Sequence, residues 1–337
     1  MMRAPPFWDD TAPRSSAALT RALLSPLGAL YAWAGARRIR TTTPAPAPAP
    51  VICVGNLTVG GVGKTPVTAA LMRAAHQKGL KAAGLSRGWG GKLSGPVKVD
   101  PKLHSVADVG DEPLLLSRLA PVYVARHRPD GARMAAEEGA DVIIMDDGHQ
   151  NPSLEKTLSI VVVDGVTGWG PGTIFPAGPL REPVKDGLAR ADAVIVMCPS
   201  AEFAPDLEKL QLADLEIPVL TAWLAPEAAP PSGPLLAFAG IGRPQKFYDA
   251  LVAAGGSLAD TASFPDHHAF TRGEIETLAD LAESHDATLI TTEKDHVRLP
   301  GGVKGSVTAW PVRAVFREEA RLDALLDQAM DSFAASR

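Results

Sequence analysis

Apolar positions along this chain gather into short β-branched runs, at 51–54, 81–85, 121–125, 140–145, 159–164, 191–198 and 217–222. Runs of this length bounded by turn residues read as buried strands, and the alanine- and leucine-rich stretches between several of them have helical period. Strand alternating with helix predicts an α/β fold with a largely parallel sheet. The pattern restarts at 235–244 (LLAFAGIGRP), continues as a helix through 247–253 and as a strand and turn over 288–299, and closes on an amphipathic C-terminal helix. Before all of this stands 17–36, AALTRALLSPLGALYAWAGA, mostly apolar but broken by Arg21 and Pro26 and followed at once by Arg37, Arg38 and Arg40. A transmembrane helix needs about 20 nearly uninterrupted apolar residues, so no span is predicted. Charge follows the apolar stretch instead of leading it, which argues against a signal peptide. Two readings stay open: a core-packing helix, or an interfacial one with Leu23, Leu24, Leu27, Leu30, Tyr31 and Trp33 in lipid and the arginines on anionic headgroups.

Two punctuating segments divide the chain. The run TTTPAPAPAP at 41–50 can be neither helix nor central strand and reads as a stiff extended spacer. PEAAPPSGP at 226–234 reads as an inter-domain linker. The expected organisation is therefore an N-terminal helix over 1–40, the Pro-Ala linker over 41–50, a main α/β domain over 51–225, the second linker over 226–234 and a smaller α/β domain over 235–337.

Composition narrows the class. The 337 residues suffice for two packed domains, and 46% hydrophobic with 21% charged residues is the make-up of a globular protein. With 33 basic against 38 acidic side chains the net charge is −5, so bulk electrostatics gives no reason to expect nucleic acid, and any phosphate must be held locally. The two cysteines, Cys53 and Cys198, sit in apolar runs without metal-ligand spacing, which predicts buried thiols in a reducing compartment and no zinc site.

The chemistry starts at VICVGNLTVGGVGKTP, 51–66. A strand, a glycine-rich turn and a helix opening at Lys64-Thr65 form a phosphate cradle. Gly60, Gly61, Val62 and Gly63 would turn backbone N–H groups into one concavity, with Pro66 in the first turn of the helix whose positive dipole end faces it. Lys64 would reach the β- and γ-phosphates, and Thr65 would offer its hydroxyl to magnesium. The strict pattern G-x-x-x-x-G-K-[ST] fails at one place, since Thr58 occupies the position of the first glycine.

Further candidates lie at the ends of the later runs. Arg87 in SRGWGG can approach an anion closely, or sit solvated in a tight turn. Asp111 and Glu112 head the apolar run PLLL, a place suited to helix capping and equally to catalysis. Arg126, Arg128 and Arg133 follow a strand end, where open α/β sheets bind ligands. The strand 140–145 closes on Asp146-Asp147, the form that delivers a carboxylate to the magnesium shell. The long loop GWGPGTIFPAGPLREP at 168–183 ends on Arg181 and Glu182, which could reach phosphate and metal or pair with each other. In the smaller domain FPDHHAFT carries Asp266, His267 and His268, a set more often structural than catalytic, and TTEKD carries Glu293, Lys294 and Asp295.

Together, VGNLTVGGVGKTP, LSRGWGG, VGDEPLLL, VIIMDDGHQ, AGPLREP, FPDHHAFT and TTEKDHVRL, spread from residue 54 to residue 299, resemble the tetraacyldisaccharide 4'-kinases of lipid A biosynthesis. That family's loop also lacks the first glycine, so Thr58 is a match to it. The resemblance implies a P-loop NTPase-like, mostly parallel sheet with helices on both faces, plus a second smaller α/β domain closing over the active site. It implies transfer of the ATP γ-phosphate, with Mg2+, to the 4'-hydroxyl of a tetraacylated glucosamine disaccharide 1-phosphate, at the cytoplasmic face of the bacterial inner membrane. The lipid A precursor and an anionic membrane surface are then the partners, with no obligatory protein partner, and the enzyme is peripheral, which favours the interfacial reading of the N-terminal helix. By the family pattern Asp111 acts with His267 to prepare the sugar hydroxyl, and Asp146, Asp147 and Glu182, with Thr65, lie on the metal or phosphate side. Arg87, Glu112, Arg128, Gln150 and Arg181 fall on the substrate and phosphate side. Two positions depart: the family's D-D-G-F-Q-H is here D-D-G-H-Q-N, placing His149 and Asn151, and Trp89 stands where tyrosine is usual. The competing reading is a membrane-associated ATPase switch of the partitioning or cell-division type, against which Val59 stands where the signature lysine belongs.

Overall fold

In chain order the elements are α1 (Arg14–Thr41), β1 (Val51–Gly55), α2 (Lys64–Gln77), β2 (Ala82–Ser86), β3 (Val97–Lys98), α3 (Val106–Val109), α4 (Asp111–Leu116), β4 (Val122–Val124), α5 (Arg128–Glu137), β5 (Val142–Asp146), β6 (Leu158–Asp164) and α6 (Val184–Leu188). There follow β7 (Ala193–Cys198), β8 (Val219–Pro226), β9 (Pro234–Ala239), α7 (Pro244–Ala253), β10 (Ser257–Ser263), α8 (Arg272–Ser284), β11 (Thr288–Thr292), α9 (Glu293–Arg298), β12 (Thr308–Trp310), β13 (Val312–Phe316) and α10 (Glu319–Ala335). The structure, a computed structural model, describes residues 5–8 and 14–337; the rest of the expected 1–40 element lies outside the described residues. The described chain divides into two units, one holding its residues from Pro5 to Leu224 together with Ala314–Arg337, the other Ala225–Arg313.

The larger unit is built on a nine-stranded sheet in the order β13-β8-β7-β6-β1-β5-β2-β4-β3. β1 lies at its centre, parallel to β5 and β6, with Val54 paired to Asp146 on one side and Ile160 on the other. Every residue of β1, β5 and β7 is buried, as expected of parallel strands covered on both faces. Alternation along β1 sends Ile52 and Val54 into a core shared with α2 and α10, while Val51 and Cys53 enter another with Ala132 and Ala135 of α5. The short β3 runs antiparallel to β4 at the edge. Where the sequence ran the second domain through to residue 337, α10 instead belongs to the larger unit. Leu322, Leu325, Leu326 and Ala329 form its apolar stripe and bury in the core around α2. The helical period was visible in the sequence; which surface it covers is a tertiary fact.

The smaller unit is a parallel four-stranded sheet, β10-β9-β11-β12. α8 covers one face through Ile275, Leu278 and Ala282, and α7 the other through Phe247, Tyr248 and Leu251. The stretch expected as a turn after β11 is the helix α9, because Thr292 caps it: its hydroxyl accepts the Asp295 N–H at 3.0 Å.

α1 spans 28 residues with Pro26 inside it, and no described helix is long and apolar enough to cross a membrane. One side of α1 rests on the 168–183 loop, where a Cβ on Gly28 would come within 2.9 Å of the Ile174 carbonyl oxygen and the Tyr31 ring lies 5.5 Å from that of Phe175. Its leucine side is not in a core: Leu23 is 71% exposed and Leu30 60%, with Trp33 at 57%. The core-packing reading of that side therefore falls.

Candidate active site

The loop leaving β1 needs glycine at two points, Gly60 with φ 122° and Gly63 with φ 95°, conformations that a Cβ disfavours. Thr58 is different. It pairs with Leu180 in an isolated antiparallel bridge, flanked by Val59 N–H to the Pro179 carbonyl and Arg181 N–H to the Leu57 carbonyl, both 2.7 Å. The backbone there is extended, so a β-branched residue fits where the usual motif carries glycine. The same pairing explains why the 168–183 loop delivers Arg181 and Glu182 to the phosphate loop, a juxtaposition no spacing in the sequence announces.

Around that loop the charges form one connected run. Lys64 Nζ donates to Asn56 Oδ1 at 3.0 Å and lies 3.6 Å from Asp147 Oδ1. Burial pushes the Lys64 ammonium below its ordinary range, opposed by Asp147. Asp147, in a left-handed conformation (φ 50°), accepts from Arg181 Nη1 at 2.8 Å. Burial pushes its carboxyl up, but Lys64 and Arg181 together outweigh this and hold it below the usual carboxylate range. Gln150 Nε2 donates to the Asn56 carbonyl at 2.8 Å and to Glu182 Oε1 at 2.9 Å, while its Oε1 accepts from Arg181 at 3.4 Å. Arg190 Nη2 donates to both Glu182 oxygens, at 2.8 and 2.7 Å. Asn56 also donates to the Thr58 carbonyl at 2.6 Å, tying the loop's first turn. Neither Asn56 nor Arg190 was singled out from sequence. Asn56 could have been found as the polar residue ending a buried strand, whereas nothing in the pattern around Arg190 marks it.

Asp146 is buried at the C-terminal end of β5, beside β1. Asp111 is buried in the first turn of α4, its Oδ1 accepting the Glu112 N–H at 3.0 Å, and Glu112 is half-buried. Arg128 stands apart from its neighbouring arginines. It opens α5 but is 1% exposed, its Nη1 donating to the Ala125 carbonyl at 2.6 Å and its Nε without a hydrogen-bond partner among the described residues. Burial, then the charge of Arg87, lowers its pKa to about 10. Of its expected companions, Arg126 is exposed and Arg133 faces Asp130 at 3.6 Å. Arg87 is exposed, with its guanidinium 5.9 Å from the Trp89 ring centre, a cation–π arrangement.

His149 turns inward. The ring is 2% exposed, its Nε2 lies 2.9 Å from the Gly187 carbonyl, and its Nδ1 has no hydrogen-bond partner among the described residues. Burial, followed by Arg190, pushes its pKa down to about 4. Asn151 folds onto its own turn, its Oδ1 accepting from the Ser153 N–H at 2.8 Å and hydroxyl at 2.7 Å.

In the smaller unit His268 is structural: it stacks on Phe264 with ring centres 4.9 Å apart and its Nε2 lies 3.0 Å from Glu274 Oε1. His267 adopts φ 58°, a strained conformation for a residue with a Cβ, and its N–H donates to the Gly240 carbonyl at 3.1 Å. Asp295 is fully buried and accepts from the Gly240 N–H at 3.0 Å, the Thr292 hydroxyl at 2.7 Å and Arg298 at 2.9 Å. Burial pushes its carboxyl up against the pull of these donors.

The family model described as LpxK, tetraacyldisaccharide-1-P 4'-kinase, matches residues 20–331. The tetraacyldisaccharide 4'-kinase of Maricaulis maris is 59% identical over 98% of this chain and 97% of its own length. That of Hyphomonas neptunium is 53% identical, covering 96% and 97%. The crystal structure of the "apo" form of LpxK from Aquifex aeolicus in complex with ATP superposes with a TM-score of 0.71 at 27% identity, over 92% of this chain and 99% of that one.

Proposed function

Since the chain belongs to the tetraacyldisaccharide-1-P 4'-kinase family, we propose how its residues divide the work of moving the ATP γ-phosphate onto the 4'-hydroxyl of a tetraacyldisaccharide 1-phosphate. The observation that carries the proposal is the connected run of Lys64, Asp147, Arg181, Gln150, Glu182 and Arg190, ion-pairing side chains joined through one amide and anchored on the loop after β1. Phosphoryl transfer passes through a loose transition state, so alignment and charge neutralisation supply most of the rate. The N–H groups of Gly60 to Lys64 and the N-terminus of α2 cradle the phosphates. Lys64 and Arg181, held in place by Asp147, meet the charge that develops on the transferred group. Asn56 and Gln150 keep the loop and the lysine in register. Arg128, with its Nε unspent, is an anion-facing candidate beside Arg87.

The donor set fits magnesium. Asp146, Asp147 and the Thr65 hydroxyl offer hard oxygen atoms at the adjoining ends of β5 and the phosphate loop, the chemistry this ion selects. When bound, magnesium neutralises charge on the β- and γ-phosphate oxygens. Glu182 was expected among these ligands, but it spends both oxygens on Arg190 and Gln150, with which a cation would have to compete. We assign Glu182 to holding Gln150. Asp111 and His267 take the family's role of preparing the acceptor hydroxyl.

The acceptor is a lipid, and α1 carries exposed Leu23, Leu27, Leu30 and Trp33 with Arg38 and Arg40 in its last turn. That composition suits an anionic membrane surface, on which the helix would lie at the interface. A partitioning-type switch has no support from the relatives, which are kinases. The test is transfer of labelled γ-phosphate from ATP to purified disaccharide lipid in detergent micelles. Label in the lipid, dependent on added magnesium, supports the assignment; label released only as inorganic phosphate overturns it.

A further inference from the structure

Arg298 lies at the end of α9, with its side chain 3% exposed. Its Nη1 donates to Asp295 Oδ1 at 2.9 Å and to the Gly240 carbonyl at 2.8 Å, and Nη2 lies 3.1 Å from His267 Nδ1. A guanidinium has five donors and no lone pair to offer. The contact with His267 is therefore a hydrogen bond only if Nδ1 carries the lone pair, and in a neutral imidazole the hydrogen must then sit on Nε2.

The arrangement is rigid at each joint. Asp295 and Arg298 stand three residues apart on α9, which Thr292 caps. Asp295 grips the Gly240 N–H, and the Gly240 carbonyl accepts from both Arg298 and the His267 N–H. Gly240 itself leaves little room, since a Cβ there would meet Asp295 Oδ1, the His268 Cβ and the Pro265 carbonyl, each at 3.2 Å. One glycine peptide thus ties the backbone of His267 and the side chain that addresses its ring into a single body. The left-handed conformation of His267 is strained for a residue with a Cβ, and this frame is what sustains it.

We propose that Arg298 is a positioning residue for the phosphoryl transfer, fixing His267 as the Nε2–H tautomer so that its ring presents a hydrogen-bond donor outward while Nδ1 stays capped. The proposal rests on the reading that His267 takes part in preparing the acceptor hydroxyl. Its consequence is that the proton of the hydroxyl leaves to a carboxylate, not to the imidazole, whose one basic nitrogen is already engaged. The Asp266 carboxylate, with Oδ1 3.9 Å from Nε2, is the acidic group of the same loop on the donor side of the ring.

The test begins with the unaltered full-length chain labelled with 15N-histidine. A long-range 1H–15N spectrum at neutral pH, with the His267 signals identified by their loss in His267→Gln, should show a proton on Nε2 and none on Nδ1. A proton on Nδ1, or a doubly protonated ring, overturns the proposal without any Arg298 variant having to fold. In Arg298→Met the pattern should relax to a mixture of tautomers, and kcat should fall by roughly 10–100-fold, the usual cost of losing an orienting partner, with KM little changed. Because that change leaves Asp295 buried without its cation, Asp295→Asn/Arg298→Met is measured beside it, and Arg298→Lys should restore part of kcat. A pure Nε2–H signal persisting in folded Arg298→Met or in the double variant refutes the assignment. Added to His267→Ala, Arg298→Met should cost kcat nothing more. If His267→Ala alone keeps full activity, the catalytic reading of His267 fails while the spectrum still decides what Arg298 does.

Discussion

Replacing His149 by phenylalanine removes a buried ionisable ring, and the surroundings of that ring set both the sign and the size of the resulting change in acid stability. The ring sits 2% exposed with Nε2 at the Gly187 carbonyl, and adding a proton at Nδ1 would create a buried charge and an N–H with no acceptor among the described residues. Burial and Arg190 accordingly move its pKa from 6.5 to about 4, against the opposing pull of Glu182 and the Gly187 carbonyl. Between those values the unfolded chain binds a proton that the folded one refuses, so stability is intact above pH 6.5 and falls as the pH drops toward 4. At 1.36 kcal/mol per unit the full loss is about 3 kcal/mol, most of it gone by pH 4.5. Phenylalanine fills the same slot, and the Gly187 carbonyl keeps the Arg190 N–H at 3.3 Å as a donor. Urea unfolding of both proteins at pH 7.5 and 4.5, without magnesium, gives a double difference in which the carboxylates common to both cancel. The variant should lose about 2–3 kcal/mol less than the parent on acidification. Equal losses to within about 0.5 kcal/mol, or a His149 ring that titrates at its ordinary value in the folded protein, would refute the reasoning.

Three further outcomes are expected. Asp111→Ala and His267→Ala should each lower kcat by about 10²–10⁴-fold with the circular dichroism spectrum unchanged, and wild-type turnover in either would remove that residue from the acceptor side. Cys53 is fully buried with its thiol pushed up to about 11, mainly by burial, so it should resist a thiol-reactive disulfide at pH 8 in the native protein and react once urea exposes it. Changing Leu23 and Leu30 to aspartate should leave the melting temperature nearly unmoved, since both side chains are exposed, and should release the protein from anionic vesicles in flotation. Unaltered flotation would deny α1 its interfacial role.

Much of the site was legible along the chain because its parts are local. The strand, turn and helix around Lys64 follow from apolar period and glycine placement, and Asp146-Asp147 ends a buried run whose neighbour in the sheet is β1. Thr58 looked like a defect only under a rule written for a different backbone, and its extended pairing with Leu180 shows why threonine serves. The burial of Arg128 was not legible in the sequence, since a charged residue after a strand end gives no sign that its helix will fold it inward. His149 was ambiguous for a related reason: a histidine can occupy an aromatic slot or do proton chemistry, and burial alone decides.

By itself, then, the sequence determined the period of most elements, the phosphate loop and the candidate acids and arginines near it, because those depend on residues a few positions apart. Tertiary structure decided which loops meet. It brought Arg181 and Glu182 to the phosphate loop through the bridge at Thr58, and tied Glu182 to Arg190. It returned α10 to the larger unit and placed Arg298 against His267, thirty-one residues away in the chain. The physical reason is that hydrogen bonds and charge pairs act over a few ångströms in space, a distance that spacing along a chain cannot encode once the partners lie on different elements.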